Sequence, residues 1–114
     1  MQLPKDAVLL RIFVGEDDKA DGRPLYEALV LKAREMGLAG ATVLRGPMGY
    51  GRSSRLHTTK ILRLSQDLPV VIEIVEQDSK LRDFLEAVES MMGSSLVTLE
   101  KVQVLRYGND RTQG

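Results

Sequence analysis

The chain has no cysteine, no tryptophan, and only two phenylalanines and three tyrosines in 114 residues. Without thiols there is no disulfide framework, iron–sulfur cluster or zinc–thiolate centre, a composition that fits a reducing interior. The five aromatics, Phe13, Tyr26, Tyr50, Phe84 and Tyr107, are scattered, so the stacking platform of a single-strand nucleic-acid binder is missing. Net charge is missing too. Sixteen Lys and Arg balance sixteen Asp and Glu, whereas a general nucleic-acid binder carries a basic excess; no nucleic-acid partner is expected. There is no long apolar run either. The N-terminal run AVLLRIFV is interrupted by Arg11 and preceded by Lys5 and Asp6, the pattern of neither a signal peptide nor a membrane span. A cytoplasmic, soluble protein without membrane insertion is the expectation.

What is present is ordinary for one globular domain spanning 1–114, with 43% apolar and 28% charged residues and enough chain for one core. Residues 7–14 read as a strand, being β-branched and apolar and too short for a helix. A turn-rich acidic segment, GEDDKADG, follows. Pro24 suits the first turn of a helix. Leu25, Leu29, Ala33 and Met36 then recur at helical spacing, and Gly37 sits where a left-handed C-terminal cap belongs. Ala41–Leu44 reads as a second strand. Residues 61–64 and 68–76 read as extended, with Asp67, Leu68 and Pro69 as the break between them. Asp78 is the expected cap of a second helix whose apolar stripe is Leu81, Phe84, Leu85, Val88 and Met91, and Gly93 ends it. Leu96–Tyr107 reads as a last strand, and 108–114 as a polar, flexible tail.

Two strand–helix–strand units in succession, with right-handed crossovers, predict an α+β, ferredoxin-like βαββαβ sandwich. It has a four-stranded antiparallel sheet, two helices on one face and a long loop after the second strand. The first and third strands would sit at the sheet centre. Both faces of these strands are apolar: Val8, Leu10, Ile12 and Val14 oppose Ala7, Leu9, Arg11 and Phe13, and Val70, Ile72 and Ile74 oppose Val71, Glu73 and Val75. Two helices cover one face only, and a bare second face is rarely tolerated on a monomer. The chain is therefore expected to form a homo-oligomer. Arg11 and Glu73, the lone charges in their stripes, are expected to pair across the central strands or across the subunit interface, since either alone would be costly to bury.

The most informative stretch is Gly40–Lys60, GATVLRGPMGYGRSSRLHTTK. Three glycines fall within six residues, Gly46, Gly49 and Gly51. From Arg45 to Arg63 there are five cations (Arg45, Arg52, Arg55, Lys60 and Arg63), the only histidine, His57, and no carboxylate. This segregation points to an anion-facing loop. Its backbone N–H groups would form a nest, and its guanidinium forks suit phosphate or carboxylate. The spacing is that of neither a Walker loop nor a dinucleotide fingerprint, and the competing reading is a surface turn whose glycines merely bend the chain. The candidate ligand contacts are Arg45, Gly46, Gly49, Gly51, Arg52, Ser53, Arg55, His57 and Lys60. A lone histidine without neighbouring donors is a poor metal ligand; no metal site is expected, and His57 reads as a ligand contact or a structural residue. Glu16, Asp17 and Asp18 could bind a cation, meet the basic loop of a neighbouring subunit, or form a solvated turn. Arg106 could reach an inter-subunit cleft. No Ser–His–Asp order, catalytic carboxylate pair or activated nucleophile stands out, so enzymatic activity is not expected.

Three segments carry a resemblance. They are Gly15, Glu16, Lys19, Gly22, Pro24, Leu25, Tyr26 and Glu27; then GATVLRGPMGYG from Gly40 to Gly51; and SSRLHTTKILRLSQDLPVVIEIV from Ser53 to Val75. Together they resemble the bacterial and archaeal family known as domain of unknown function 190 (DUF190), of the PII-like superfamily of trimeric signalling proteins. The resemblance implies the ferredoxin-like subunit, trimerisation through the sheets, a mobile loop after the second strand, and ligand clefts between subunits at the loop's base. Glu16 falls within its first motif. PII proteins proper carry a glycine- and lysine-containing phosphate loop before the last strand; here the equivalent Met92–Leu96 has one glycine and no lysine. The function expected is a PII-like sensor. It would bind a small anion, nucleotide-like or simpler, and use its basic loop to regulate a protein partner, with a membrane transporter as the implied class. The alternative is a ligand-independent interaction module.

Overall fold

A computed structural model describes residues 3–50, 57–58, 67–108 and 110–111. Its centre is the antiparallel pair that the alternating patterns demand. Strand β1 (Asp6–Gly15) is followed by β2 (Lys19–Ala20), β3 (Arg23–Pro24), helix α1 (Leu25–Glu35), β4 (Thr42–Arg45), β5 (Met48–Gly49), β6 (His57–Thr58), β7 (Pro69–Glu76), helix α2 (Asp78–Met92), β8 (Leu96–Gln103), β9 (Arg106–Tyr107) and β10 (Asp110–Arg111). The main sheet has the order β4-β7-β1-β8, every pair antiparallel. The first and third long strands, β1 and β7, are therefore the central pair, as the ferredoxin-like reading requires. Three two-stranded ribbons, β2/β3, β5/β6 and β9/β10, decorate it.

The alternation decides which side chains face the helices. Leu10, Ile12, Val14, Val70, Ile72 and Ile74 are buried against Leu25, Leu29 and Ala33 of α1 and Leu81, Phe84 and Val88 of α2. Each large side chain so buried contributes about 1.5–3 kcal/mol relative to exposure. Met36, Leu85 and Met91 complete the two helical stripes at the margin of this core. Among the described residues, no helix is long and apolar enough to cross a membrane.

Among the described residues no helix covers the opposite face, and its register sorts side chains into transverse rows. Leu44, Val71, Phe13 and Leu96 form one apolar row across all four strands, and Thr42, Glu73, Arg11 and Thr98 form the next. Phe13, Leu44 and Leu96 are 36%, 48% and 60% exposed. The pair expected at Arg11 forms within the sheet. Arg11 Nε lies 2.9 Å from Glu73 Oε2, and Nη1 lies 3.1 Å from Glu100 Oε1. Hydrogen bonds to Glu73 and then Glu100 hold the guanidinium pKa above its already high ordinary value.

The element ends differ from the sequence reading in three places. Pro24 is not inside the first turn of α1 but is its N-cap, extended at φ −56°, ψ 136°, because it also pairs with Lys19 in the β2/β3 ribbon. Asp78 is the first residue of α2 rather than its cap. That position falls to Gln77, with no side-chain cap bond, and Asp78 instead meets Arg82 one turn on, at 3.4 Å. The last strand stops at Gln103 rather than Tyr107. The chain then folds back through Gly108 (φ +65°) so that β9 pairs with β10, and Tyr107 Oη donates to the carbonyl of Ala39 at 2.7 Å. The extended segment expected at 61–64 lies outside the described residues. At this end of the sheet Glu76 is fully buried, and its carboxylate accepts the N–H groups of Ala39 (2.9 Å) and Gln77 (2.8 Å). A charge so placed tolerates burial because charged acceptors make the stronger hydrogen bonds.

Candidate functional site

The end of the sheet where β1 stops and β7 starts is where the chain gathers its chemistry. Antiparallel register sets Gly15 opposite Pro69 and Arg45 opposite Val70, so the start of the basic segment and the strand that follows it both lie beside the turn after β1. That turn is pinned at every residue. Gly15 N–H donates to Asp18 Oδ2 (2.8 Å), Glu16 N–H to the carbonyl of Leu68 (2.8 Å), and Asp17 N–H to Asp67 Oδ1 (2.6 Å). A Cβ at position 15 would displace the Asp67 carboxylate from this arrangement, since it would stand 2.6 Å from both carboxylate oxygens. Gly46 and Gly49 are similarly placed, since a Cβ on either would meet the Pro69 ring at 2.9 or 3.0 Å. The Gly46 N–H donates to the carbonyl of Pro69 at 2.9 Å. Close packing on Pro69 is thus a role for Gly46 and Gly49 that the sequence reading, an anion-facing nest or a plain surface turn, did not include.

Arg45 closes β4 and is held from two sides. Its Nε meets Glu16 Oε2 at 3.0 Å, Nη2 donates to Tyr26 Oη at 3.1 Å, and Cζ stands 5.6 Å from the centre of the Tyr26 ring. The acidic segment after β1 thus engages the basic stretch within the same chain, where a contact with a neighbouring subunit had been one of the readings.

Beside this turn lies an open cleft of about 950 Å³. Phe13, Leu25, Pro69, Met91, Met92 and Leu96 give it apolar walls. Asp18, Lys19, Tyr50, Asp67, Ser94 and Ser95 give it polar ones, and Gly49 also faces it. One wall is the segment after α2, where Gly93 (φ +56°) turns the chain and Ser95 caps Met92 through both its N–H (3.1 Å) and its hydroxyl (2.7 Å). Apolar walls with a few convergent polar groups are the general form of a small-molecule site.

The residues singled out from sequence are distributed as follows. Glu16, Arg45, Gly46 and Gly49 come together at this end, and the backbone of His57 pairs with that of Gly49. Gly51, Arg52, Ser53, Arg55 and Lys60 lie outside the described residues. Arg106 is not brought to the group. β8 runs from Leu96 opposite Phe13 to Gln103 opposite Asp6, so Arg106 lies past the other end of β1, roughly 30 Å away at 3.4 Å per strand residue, with Nε donating to Gly108 O at 3.3 Å. Asp67, Tyr50, Ser94 and Ser95 were not singled out as ligand contacts, and Asp18 was named only as part of an acidic cluster that could bind a cation. Asp67 did carry a signal, being the first carboxylate after the acid-free stretch. The serines lie in Met92–Leu96, the segment that the resemblance equates with the PII phosphate loop, and were passed over because it lacks a lysine. Among the described residues no group of three or more His, Asp or Glu could hold a metal ion.

With this geometry in view, the chain can be set beside known proteins. Among solved structures, CPII from Thiomonas intermedia K12, described as a nitrogen regulatory PII-like protein bound to ADP, AMP and bicarbonate, matches with a TM-score of 0.67. The match has 17% identity and spans 89% of this chain and 90% of that one. A putative PII-like signaling protein from Thermus thermophilus matches with a TM-score of 0.63 at 18% identity, over 91% and 93% of the two chains. At such identities the likeness is one of fold. A UPF0166 protein of Aquifex aeolicus is 42% identical over 97 residues, 85% of this chain and 91% of its own. Another from Methanocaldococcus jannaschii is 35% identical over 79 residues, 69% and 72% of the respective chains. The family model DUF190, described as "Uncharacterized ACR, COG1993", matches residues 7–104. With nearly the whole sheet and both helices inside that match, the chain belongs to the DUF190 family and has a PII-like fold.

Proposed function

We propose that this chain is a PII-like regulatory protein. Three copies join through the helix-free sheet faces, a small nucleotide-like anion enters the cleft beneath the basic stretch, and occupancy changes how that stretch meets a protein partner, with a membrane transporter as the implied class. Arg52, Arg55 and Lys60 neutralise the anion, with Arg45 at its margin, and Arg106 joins them only from a neighbouring copy. One observation carries the reading. A cleft of about 950 Å³ is lined by Gly49 and Tyr50 of the basic stretch, by Asp67 and Pro69 that follow it, and by the segment after α2, on a fold shared with a protein described as bound to ADP and AMP.

The test is a melting-temperature screen of the full chain with ADP, AMP, cyclic nucleotides, bicarbonate and inorganic phosphate. A ligand held at 100 times its Kd adds about 2.7 kcal/mol, on the order of 10 °C for a domain of this size, and Arg52→Ala/Arg55→Ala removes the shift. If none of these ligands moves the melting curve, the reading fails.

One observation favours the second reading, a ligand-independent interaction module. Asp18 and Asp67 place carboxylates on the cleft wall, and Arg45 already has a carboxylate partner. Partner capture from ligand-free buffer that is lost on deleting residues 51–56 supports that alternative.

A further inference from the structure

The contacts of Arg45 carry an inference that rests on the anion-binding reading and deepens it. We propose that Arg45 is the cationic half of an oxyanion site that the chain keeps occupied with its own Glu16, and that an incoming phosphate or carboxylate binds by displacing that side chain.

The argument begins with what holds each partner. The Glu16 backbone is fixed by its N–H bond to Leu68 O, and the turn around it by the bonds of Gly15 and Asp17. The turn therefore does not need the Glu16 carboxylate to keep its shape. Arg45 likewise has a second holder: Tyr26 accepts from Nη2 at 3.1 Å and places its ring 5.6 Å from Cζ. If Glu16 rotates away, the guanidinium stays aimed at the same point. Its Nε then faces the position now filled by Glu16 Oε2 at 3.0 Å. A carboxylate oxygen against a guanidinium N–H is chemically the contact that a phosphate or carboxylate ligand would make.

Exposure makes the exchange feasible. The two side chains are 54% and 30% exposed, and ion pairs reached by water shift an equilibrium only about two- to fivefold. A buried pair would resist competition; this one does not. The site also borders the cleft, since Gly15 and Asp18, on either side of Glu16 in the turn, both line it. Asp17 and Asp18 on the same turn oppose any anion. A simple oxyanion at Arg45 is thus expected to bind weakly, with the ligand's remaining contacts supplying affinity and Glu16 setting a threshold.

The experiment follows the Arg45 Nε–Hε cross-peak in the 15N-labelled full chain during separate titrations with inorganic phosphate, acetate and ADP at constant ionic strength. In the native chain the peak is expected to move and saturate. Glu16→Gln should tighten phosphate binding two- to fivefold. Glu16→Asp, which keeps the charge but shortens its reach, should move affinity the same way and serves if Glu16→Gln does not fold. Tyr26→Phe should weaken binding, and Arg45→Gln/Glu16→Gln, followed through the backbone amide peaks of Glu16 and Gly46, should show no tightening. Stronger binding of phosphate than acetate assigns the site to phosphoryl groups, and the reverse to carboxylates. Equal phosphate affinity in the native chain and both Glu16 variants overturns the displacement while leaving the anion-binding reading intact. No binding of phosphate, acetate or ADP to any variant overturns both.

Discussion

At Gly15 a missing methyl group decides how the turn after β1 is built. The Asp67 carboxylate sits where a Cβ would be, 2.6 Å away, and in that place accepts the Asp17 N–H. Gly15→Ala must push Asp67 off this donor, at a cost of about 1–3 kcal/mol. Asp67→Ala loses the same bond but opens the space. The double variant should therefore unfold at nearly the same urea concentration as Asp67→Ala alone, and full additivity would contradict the steric account. Arg11 and Glu73 were readable as partners because strict alternation put both on one face of adjacent strands. The carboxylates at Arg11 hold its pKa above the ordinary value. A raised pKa stabilises below the unfolded value and loses that contribution only as pH climbs through the folded one, so the pair feels no loss of the arginine's charge near neutrality. Arg45 and Glu16 are a different case. They lie 29 positions apart, on an edge strand and a turn, and only the sheet register makes them neighbours.

Among elements, the two helices were legible from periodicity, and their C-terminal stops from glycine. α1 ends in a full Schellman arrangement: Gly37 (φ +75°) donates to Arg34 O at 3.1 Å and Leu38 to Ala33 O at 3.1 Å. α2 ends at Gly93 with φ 56° and ψ −124°, outside the left-handed helical region that asparagine tolerates. Neither glycine has a neighbour within 4 Å of an added Cβ, so backbone conformation alone sets the cost. Gly37→Asn should be nearly neutral, whereas Gly93→Asn should cost about 1–3 kcal/mol in equilibrium unfolding; equal costs would contradict the assignment. The N-terminal caps were misread because propensity ranks residues without regard to neighbouring contacts. Pro24 was claimed by a ribbon and Asp78 by the first helical turn.

On the scale of the whole molecule, the helix-free face carries the row Leu44, Val71, Phe13 and Leu96. We expect this row to be the greasiest part of a contact between copies. Phe13→Lys, at the row's centre, should convert an oligomer into single chains by light scattering at micromolar concentration while leaving the far-UV spectrum unchanged. A native chain that already runs as a single-chain particle would remove the premise. Phe13 and Leu96 also line the cleft, so the same substitution tests whether assembly and ligand site share a wall. By itself the sequence determined the order of the two helices and the four main strands, the two faces into which each central strand divides, the Arg11–Glu73 pair and the family, because these follow from local periodicity and uninterrupted motifs. Only the tertiary structure decided that the turn after β1 bonds to Asp67 and Leu68, that Arg45 already has a carboxylate, and that Asp18, Asp67 and the serines after α2 share one cleft. Those relations arise from strand register, which brings together residues tens of positions apart and leaves no periodic trace in the chain.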